Sequence, residues 1–538
     1  MTYAICSAIG LLLLLAIKWC FLPHGRLPKF RTRYLAIRLR LRLHPGRGHA
    51  IIFELWSRWG RLAAFRRSGR SRPSLPAWQR LCFPGEHSLL LGRAHYRHGL
   101  RVPVEEHILV MAPPRTGKTA LLSKLILRYP GPAVVTTTKA DVFALTSGVR
   151  ANVGPVSVFN PQGIGGVPST FRWNPVEGCE HESIAIRRAD SFANAVSLAG
   201  TEDASFWAGK ASSYLRCLFH AAALAGGDLR HVAAWATGNA IEAEEILADA
   251  GAFQWAAELA ELRGDAQKTA ATIKMVLSRS LSFMADPALA QSVLPAGSAE
   301  CFDIEEFLRC SGTLYLIAEQ VSEDAPVAPL FAAMATEIHY QAAQIGQASW
   351  SRRLDPPLLM GLDEIVQTCP VPLPTWLADS GGKGIQLVPV AHGEAQLRTR
   401  WNADGARVIL DTCSVKVLLP GISDPDTLRM AADLCGQAAL KEHGEDWHTR
   451  HDVMTPDMIR QLPAGHALIV RGGYAPVVAR LGAAWKDPLY KFARRAGTAI
   501  ASLKVPASAF ETVQRVPIAA SFDSDGVPDF EDDDYPWT

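Results

Sequence analysis

The stretch EEHILVMAPPRTGKTALLSKLILRY, residues 105–129, decides the fold. Its first third, Glu106 to Met111, is a short apolar run of the kind that forms a buried strand. Ala112-Pro113-Pro114-Arg115-Thr116-Gly117 is rich in turn formers, and from Lys118 to Tyr129 apolar residues recur at Leu121, Leu122, Leu125 and Ile126, which predicts a helix. Strand, loop and helix in that order are the setting in which backbone N–H groups wrap phosphates. The lysine then adds a point charge, and the next hydroxyl holds Mg²⁺. Gly117, Lys118 and Thr119 fill the last three places of that loop, and Ala112 stands where a glycine is usual.

A phosphate loop of this type works with a carboxylate at the end of a neighbouring strand, and commonly with a second one that polarises water. Leu358-Leu-Met-Gly-Leu-Asp363-Glu364 is an apolar run ending in two acids. Asp363 is therefore assigned to Mg²⁺ and Glu364 to general base, with ATP as the expected nucleotide. Arg115, inside the loop, is read equally well as a tuning residue or as an exposed cation.

Further apolar runs at Ala133–Thr136, Val156–Phe159, Leu314–Ala318, Leu358–Leu362, Ile385–Val390 and Val415–Leu419 alternate with helical stretches such as Pro326–Gln344 and Asp424–Cys435. That alternation predicts an α/β domain with a mainly parallel sheet covered on both faces. The composition between Cys179 and Cys310 turns to Ala, Leu, Glu and Arg with few β-branched runs, as in Ile241–Arg263 and Thr269–Phe283, which predicts an all-helical insertion. The expected organisation is thus an anchor (1–25), a basic juxtamembrane region (26–85), a nucleotide-binding domain (86–178 and 311–505), an all-α insertion (179–310) and an acidic, disordered tail (506–538).

Charge sharpens the two ends. The 538 residues carry a net charge of only +3, yet Arg26–Arg80 contains Glu54 as its single carboxylate, and Ser521–Thr538 is acidic with no basic residue. Ahead of the arginines, Ala4–Leu22 is almost wholly apolar, about the length of a membrane-spanning helix. Because positive charge follows that run instead of preceding it, a single-pass anchor with the bulk of the chain in the cytoplasm is expected over a cleaved signal. The ten cysteines form no C-x-x-C pair and suit core packing in a reducing compartment.

The chain resembles the conjugative coupling proteins of type IV secretion, the TraG/TraD type of DNA-transfer ATPase, from about Leu91 to Trp485. Leu91-Gly92-Arg93, Val134–Asp141 (VVTTTKAD), Val158-Phe-Asn-Pro161, Trp173-Asn-Pro175, Phe206-Trp207, Pro356–Glu364 and Leu377–Ile385 (LADSGGKGI) carry the likeness beside the phosphate loop. The resemblance implies a RecA-like ATPase domain with an all-α insertion and a membrane anchor. It also implies assembly as a homo-hexamer, with single-stranded DNA bearing a relaxase, relaxosome proteins and secretion-channel proteins as partners.

Two helpers depart from the family pattern. Where family members often carry a γ-phosphate-sensing Gln, Pro389-Val-Ala-His392 has a histidine, with Gln396 one turn on as the other candidate. Where an arginine is thought to reach the neighbouring subunit's nucleotide, the nearest cation is Lys383, which lacks a guanidinium's bidentate fork. Two other readings share part of the pattern: an FtsK-like pump for double-stranded DNA, expected to carry a winged-helix reader, and a non-hydrolysing membrane scaffold.

Overall fold

The computed structural model describes residues 48–196, 203–264, 267–295, 301–319, 327–441 and 448–495. The apolar run 4–22, the arginines of 26–47 and the acidic tail from 506 lie outside the described residues. Among the described residues no helix is long and apolar enough to cross a membrane.

The strands are β1 Ser88–Arg93, β2 Gly99–Pro103, β3 Ile108–Met111, β4 Ala133–Thr137, β5 Val156–Phe159, β6 Thr313–Ile317, β7 Leu358–Leu362, β8 Ile385–Ala391, β9 Val415–Leu418, β10 Gln437–Lys441, β11 His448–Asp452, β12 His466–Arg471 and β13 Val477–Leu481. Apart from the β10–β11 hairpin they form one 11-stranded sheet, in the order β2-β1-β13-β12-β9-β3-β8-β7-β4-β6-β5. From β9 to β5 every pairing is parallel. From β9 outward through β12, β13, β1 and β2 every pairing is antiparallel. The mainly parallel sheet is as expected; the antiparallel flank is an addition to it.

Burial explains the apolar runs. Every residue of β3, β4, β6, β7, β8 and β9 is buried, because helices cover both faces and leave no solvent side for polar residues. In β3, Leu109 and Met111 join the core that continues into the helical region, while Ile108 and Val110 join the opposite core beneath Leu121, Leu125 and Ile126.

Two details of the sheet position the site. Gly361 in β7 gives the helix Lys118–Leu127 room to lie across it: a β-carbon there would stand 3.2 Å from Leu122 Cδ1. Pro389, paired in register with Leu362 of β7, lies inside the central strand β8 and brings no N–H to the ladder.

Between β5 and β6 the helices Glu182–Ala195, Ala204–Leu224, Leu229–Thr237, Ile241–Asp249, Phe253–Gly264, Gln267–Leu281, Pro287–Ser292 and Ile304–Arg309 pack largely around the Ala204–Leu224 helix. The helical stretch Ile241–Arg263 folds as two helices. Gly251, at φ +83°, turns the chain between them, a left-handed conformation that costs glycine nothing.

The basic region before the sheet also folds. Helix Arg61–Ser71 lies against β2 of the antiparallel flank and helix Ala77–Cys82 against Arg61–Ser71, with Leu55, Trp59, Ala63 and Ala64 buried. Some of its arginines work inside the protein. Arg72 Nε donates to Asp355 Oδ1 at 2.6 Å with both side chains buried. Arg67 Nη1 donates to Glu106 Oε1 at 3.2 Å, and Arg471 Nε donates to the same carboxylate at 2.7 Å.

Candidate nucleotide site

The phosphate loop leaves the C-terminal end of β3, at the centre of the sheet. Helix Lys118–Leu127 begins after Gly117, whose φ of +95° lets the chain turn into it, and Arg115 is also left-handed at φ +61°. The loop is braced from within by Thr116 Oγ1, which donates to Pro113 O at 2.7 Å. It is braced from the side by β8: the Ala112 N–H donates to Ala391 O at 3.0 Å, and His392 Nδ1 donates to Ala112 O at 3.0 Å. Gly421, in the turn after β9, sits 3.7 Å from the Thr116 methyl by its ideal β-carbon position. Pro113 and Thr119 are half-buried, and Pro114 and Arg115 are exposed at the loop's tip.

Two strands away, β7 delivers the acids. Lys118 Nζ is paired with Glu364 Oε1 and stands 3.7 Å from Asp363 Oδ1. The three groups that sequence reasoning set apart by some 245 positions thus meet over the end of β8. Thr136 and Thr368 donate to the Asp363 carbonyl at 3.2 and 2.8 Å, fixing the turn, and Glu364 takes a left-handed backbone (φ +48°) that caps the short helix Ile365–Thr368. Sequence reasoning did not single out these threonines, because nothing in their spacing signals a turn 227 residues from Thr136.

Asp363 is buried, and its Oδ1 has no hydrogen-bond partner. Burial pushes its carboxyl above the ordinary range; Lys118 pulls it back and Glu364 pushes it further up. A buried carboxylate oxygen with an open lone pair, beside a phosphate loop, fits the water shell of Mg²⁺. Beyond Glu364 a cavity of about 280 Å³ opens, lined by Thr138, Lys139, Glu319, Phe331, Gln367 and Thr368 in place of loop residues.

The helpers separate. His392 is at the loop, but a neutral ring that gives its Nδ1 proton to Ala112 keeps Nε2 as an acceptor. Gln396 Oε1 accepts the His392 N–H at 2.8 Å, so its amide nitrogen keeps its donors. Lys383 lies at the N-terminal end of β8, on the opposite edge of the sheet, with its ammonium paired to Asp379.

Comparison with known proteins bears on the fold that carries this site. Residues 357–464, from β7 to the approach to β12, match the family model described as the TraM recognition site of TraD and TraG. The unbound bacterial conjugative coupling protein TrwBdeltaN70 superposes with a TM-score of 0.55 at 18% identity, over 72% of this chain and 89% of that one. The fold is that of a conjugative coupling protein. The plasmid coupling protein TrwB in complex with ADP and Mg²⁺ matches this coupling-protein fold at a TM-score of 0.54 and 19% identity, over 72% of this chain and 89% of that one. TrwB in complex with the GTP analogue GDPNP matches at 0.53 and 19%, over 72% and 90%. No curated protein sequence matches the chain.

Proposed function

We propose that this chain is a coupling ATPase of conjugation: it hydrolyses ATP with Mg²⁺ and uses the energy to drive a DNA strand carrying its relaxase into a type IV secretion channel. The observation that carries the reading is the meeting of Lys118 with Asp363 and Glu364 across the end of β8, within a coupling-protein fold whose TrwB neighbours are described with ADP and Mg²⁺ or a nucleotide analogue.

In this reading Thr119 and Asp363 hold Mg²⁺, which supplies charge neutralisation for the phosphates. The backbone of Ala112–Thr119 cradles the phosphates. As they arrive, Lys118 exchanges the Glu364 carboxylate for phosphate oxygens, and the released Glu364 accepts a proton from the attacking water as the bond from the γ-phosphorus to the β–γ bridging oxygen breaks. Gln396 or His392 senses the γ-phosphate, and Lys383 serves a neighbouring copy's nucleotide in a hexameric ring. The anchor expected at 4–22 holds the ring at the inner face of the membrane, and the TraM-recognition likeness of 357–464 favours relaxosome proteins as partners.

The test is ATP hydrolysis by the full chain with and without DNA, beside Lys118→Ala and Glu364→Gln. Stimulation by single-stranded DNA that both substitutions abolish is the expected result. Equal slow hydrolysis in all three proteins, with or without DNA, would favour the scaffold, and stimulation confined to duplex DNA would favour an FtsK-like pump.

A further inference from the structure

Residues 51–83 carry an apolar surface that the other described residues leave bare. Ile52 (56% exposed), Phe53 (66%), Trp56 (50%), Trp78 (60%), Leu81 (52%) and Phe83 (55%) all face outward. The same segment already buries Leu55, Trp59, Ala63 and Ala64 against the sheet. A helix that is apolar on both faces has a second neighbour, and so large a cluster of exposed aromatic side chains marks an interaction site. The parts form one surface: the Ile52–Trp59 turns run directly into the Arg61–Ser71 helix, Arg61 Nη2 donates to the Cys82 carbonyl at 3.4 Å, and Arg80 lies 6.0 Å from the Phe65 ring centre.

Charge identifies the neighbour. Arg61, Arg66 and Arg70 are exposed on the same segment, and none forms an ion pair among the described residues. The one carboxylate of 51–83, Glu54, accepts the Ile51 N–H. The chain that enters at Gly48 brings more positive charge, since residues 26–47 hold arginines and Lys29 with no acid, and the apolar run 4–22 precedes them. Exposed tryptophans and phenylalanines on one segment with arginines that form no ion pair match the boundary of an anionic bilayer, where rings sit at headgroup depth and each cation gains from the surface potential.

We propose that this face, presented by residues 52–83, rests on an anionic lipid bilayer and sets the tilt of the ATPase sheet to the membrane. It extends the membrane placement of the proposed function and is independent of the ATPase chemistry. The face is fixed to the sheet: Arg72 is paired with Asp355, Arg353 Nη1 donates to Arg70 O at 2.7 Å, and Arg471 grips Glu106 while its guanidinium lies 4.9 Å from the Trp59 ring centre. Lipid contact at Trp56 and Trp78 therefore constrains β7 and β8 without a flexible joint between.

Cys82, exposed between Leu81 and Phe83, provides the probe, and Cys310, exposed beside β6, the control. The full chain, with its other accessible cysteines replaced and the buried ones left, is labelled with bimane at one position or the other. It is then reconstituted in nanodiscs of brominated phosphatidylcholine, with or without a third of phosphatidylglycerol. Quenching at Cys82 is expected to exceed that at Cys310 by about twofold in the anionic discs. Arg66→Glu with Arg70→Glu should remove the excess while leaving ATP hydrolysis unchanged. Equal quenching at both positions overturns the proposal, as does an unquenched Cys82 that cross-links to Cys82 of a second copy, which would make the face a subunit interface. Because hydrolysis is measured in the same discs, loss of the ATPase reading and loss of lipid contact are read separately.

Discussion

The two ends of the parallel strands treat charge in opposite ways. At the C-terminal ends, Lys118 is shared by two acids, Asp363 Oδ1 lacks a hydrogen-bond partner, and Arg115 and Glu364 hold left-handed backbones. At the other edge, Arg72 and Asp355 close on each other, and Arg353 gives Nη1 to Glu105 and the Arg70 carbonyl and Nη2 to the Gly381 carbonyl. Closed pairs add rigidity, whereas an open lone pair and strained backbone wait for a ligand to complete them. One edge is built to bind and the other to hold.

The sharpest way to break this contrast is at Lys118. Lys118→Ala should lower DNA-stimulated ATP hydrolysis by about 10³-fold, roughly 4 kcal/mol, with the thermal midpoint of the nucleotide-free protein falling less than in Arg72→Ala, because the carboxyl of Asp363, already raised by burial, takes up a proton once the lysine is gone; a large fall in the midpoint with hydrolysis retained would make this edge structural. The complementary change is Arg72→Ala, which strands a buried Asp355. It should cost about 3–5 kcal/mol in urea unfolding and leave nucleotide affinity, measured by titration calorimetry, where it was.

Asp363 connects stability to readiness. Its carboxyl is raised by burial, so the folded state keeps a proton that the unfolded chain releases. Its contribution therefore falls as pH rises from the unfolded carboxylate value of about 3.9 through the higher folded one. Asp363→Asn should accordingly raise the melting temperature of the nucleotide-free protein at neutral pH and abolish the further rise that MgATP gives the wild type.

The holding edge has its own pH signature. Burial lowers His339 to about 3 and His107 to about 4, so both are neutral in the folded protein. The unfolded chain binds those protons first, and stability should drop as pH falls from about 6.5 toward 4. Urea midpoints across that range should decline less steeply in His339→Gln, although this variant gives up stacking on Trp376 at 4.0 Å and a 2.8 Å bond to Ser380. The smallest effect is expected at Gln396→Ala, a fall in kcat of about fivefold, about 1 kcal/mol, with KM unchanged. A larger loss in His392→Gln than in Gln396→Ala would return the sensing role to the histidine.

The sequence made the parallel half of the sheet readable for a physical reason: a strand buried on both faces has no polar positions to interrupt its apolar run, as in Leu358–Leu362 and Ile385–Ala391. The antiparallel flank hid itself. β2 is interrupted by Arg101 and ends in Pro103, and β12 is framed by His466 and Arg471, so neither stands out from its loops. The binding loop and the Asp363–Glu364 turn were legible because each is local. The Arg72–Asp355 pair, 283 residues apart, was not, and the arginines of the basic juxtamembrane region include internal ties at Arg67 and Arg72.

Pro389 gives the sheet a seam. Its missing N–H lies on the β3 side, where the pairing of β3 with β8 is confined to Val110 with Val390 and Met111 with Ala391, so the strand bearing the phosphate loop and the strand bearing His392 share backbone bonds only at the end where phosphate arrives. Strain entering at the nucleotide meets a short ladder between β3 and β8, like a perforation in paper, beside a β7–β8 ladder that runs the full length of β7.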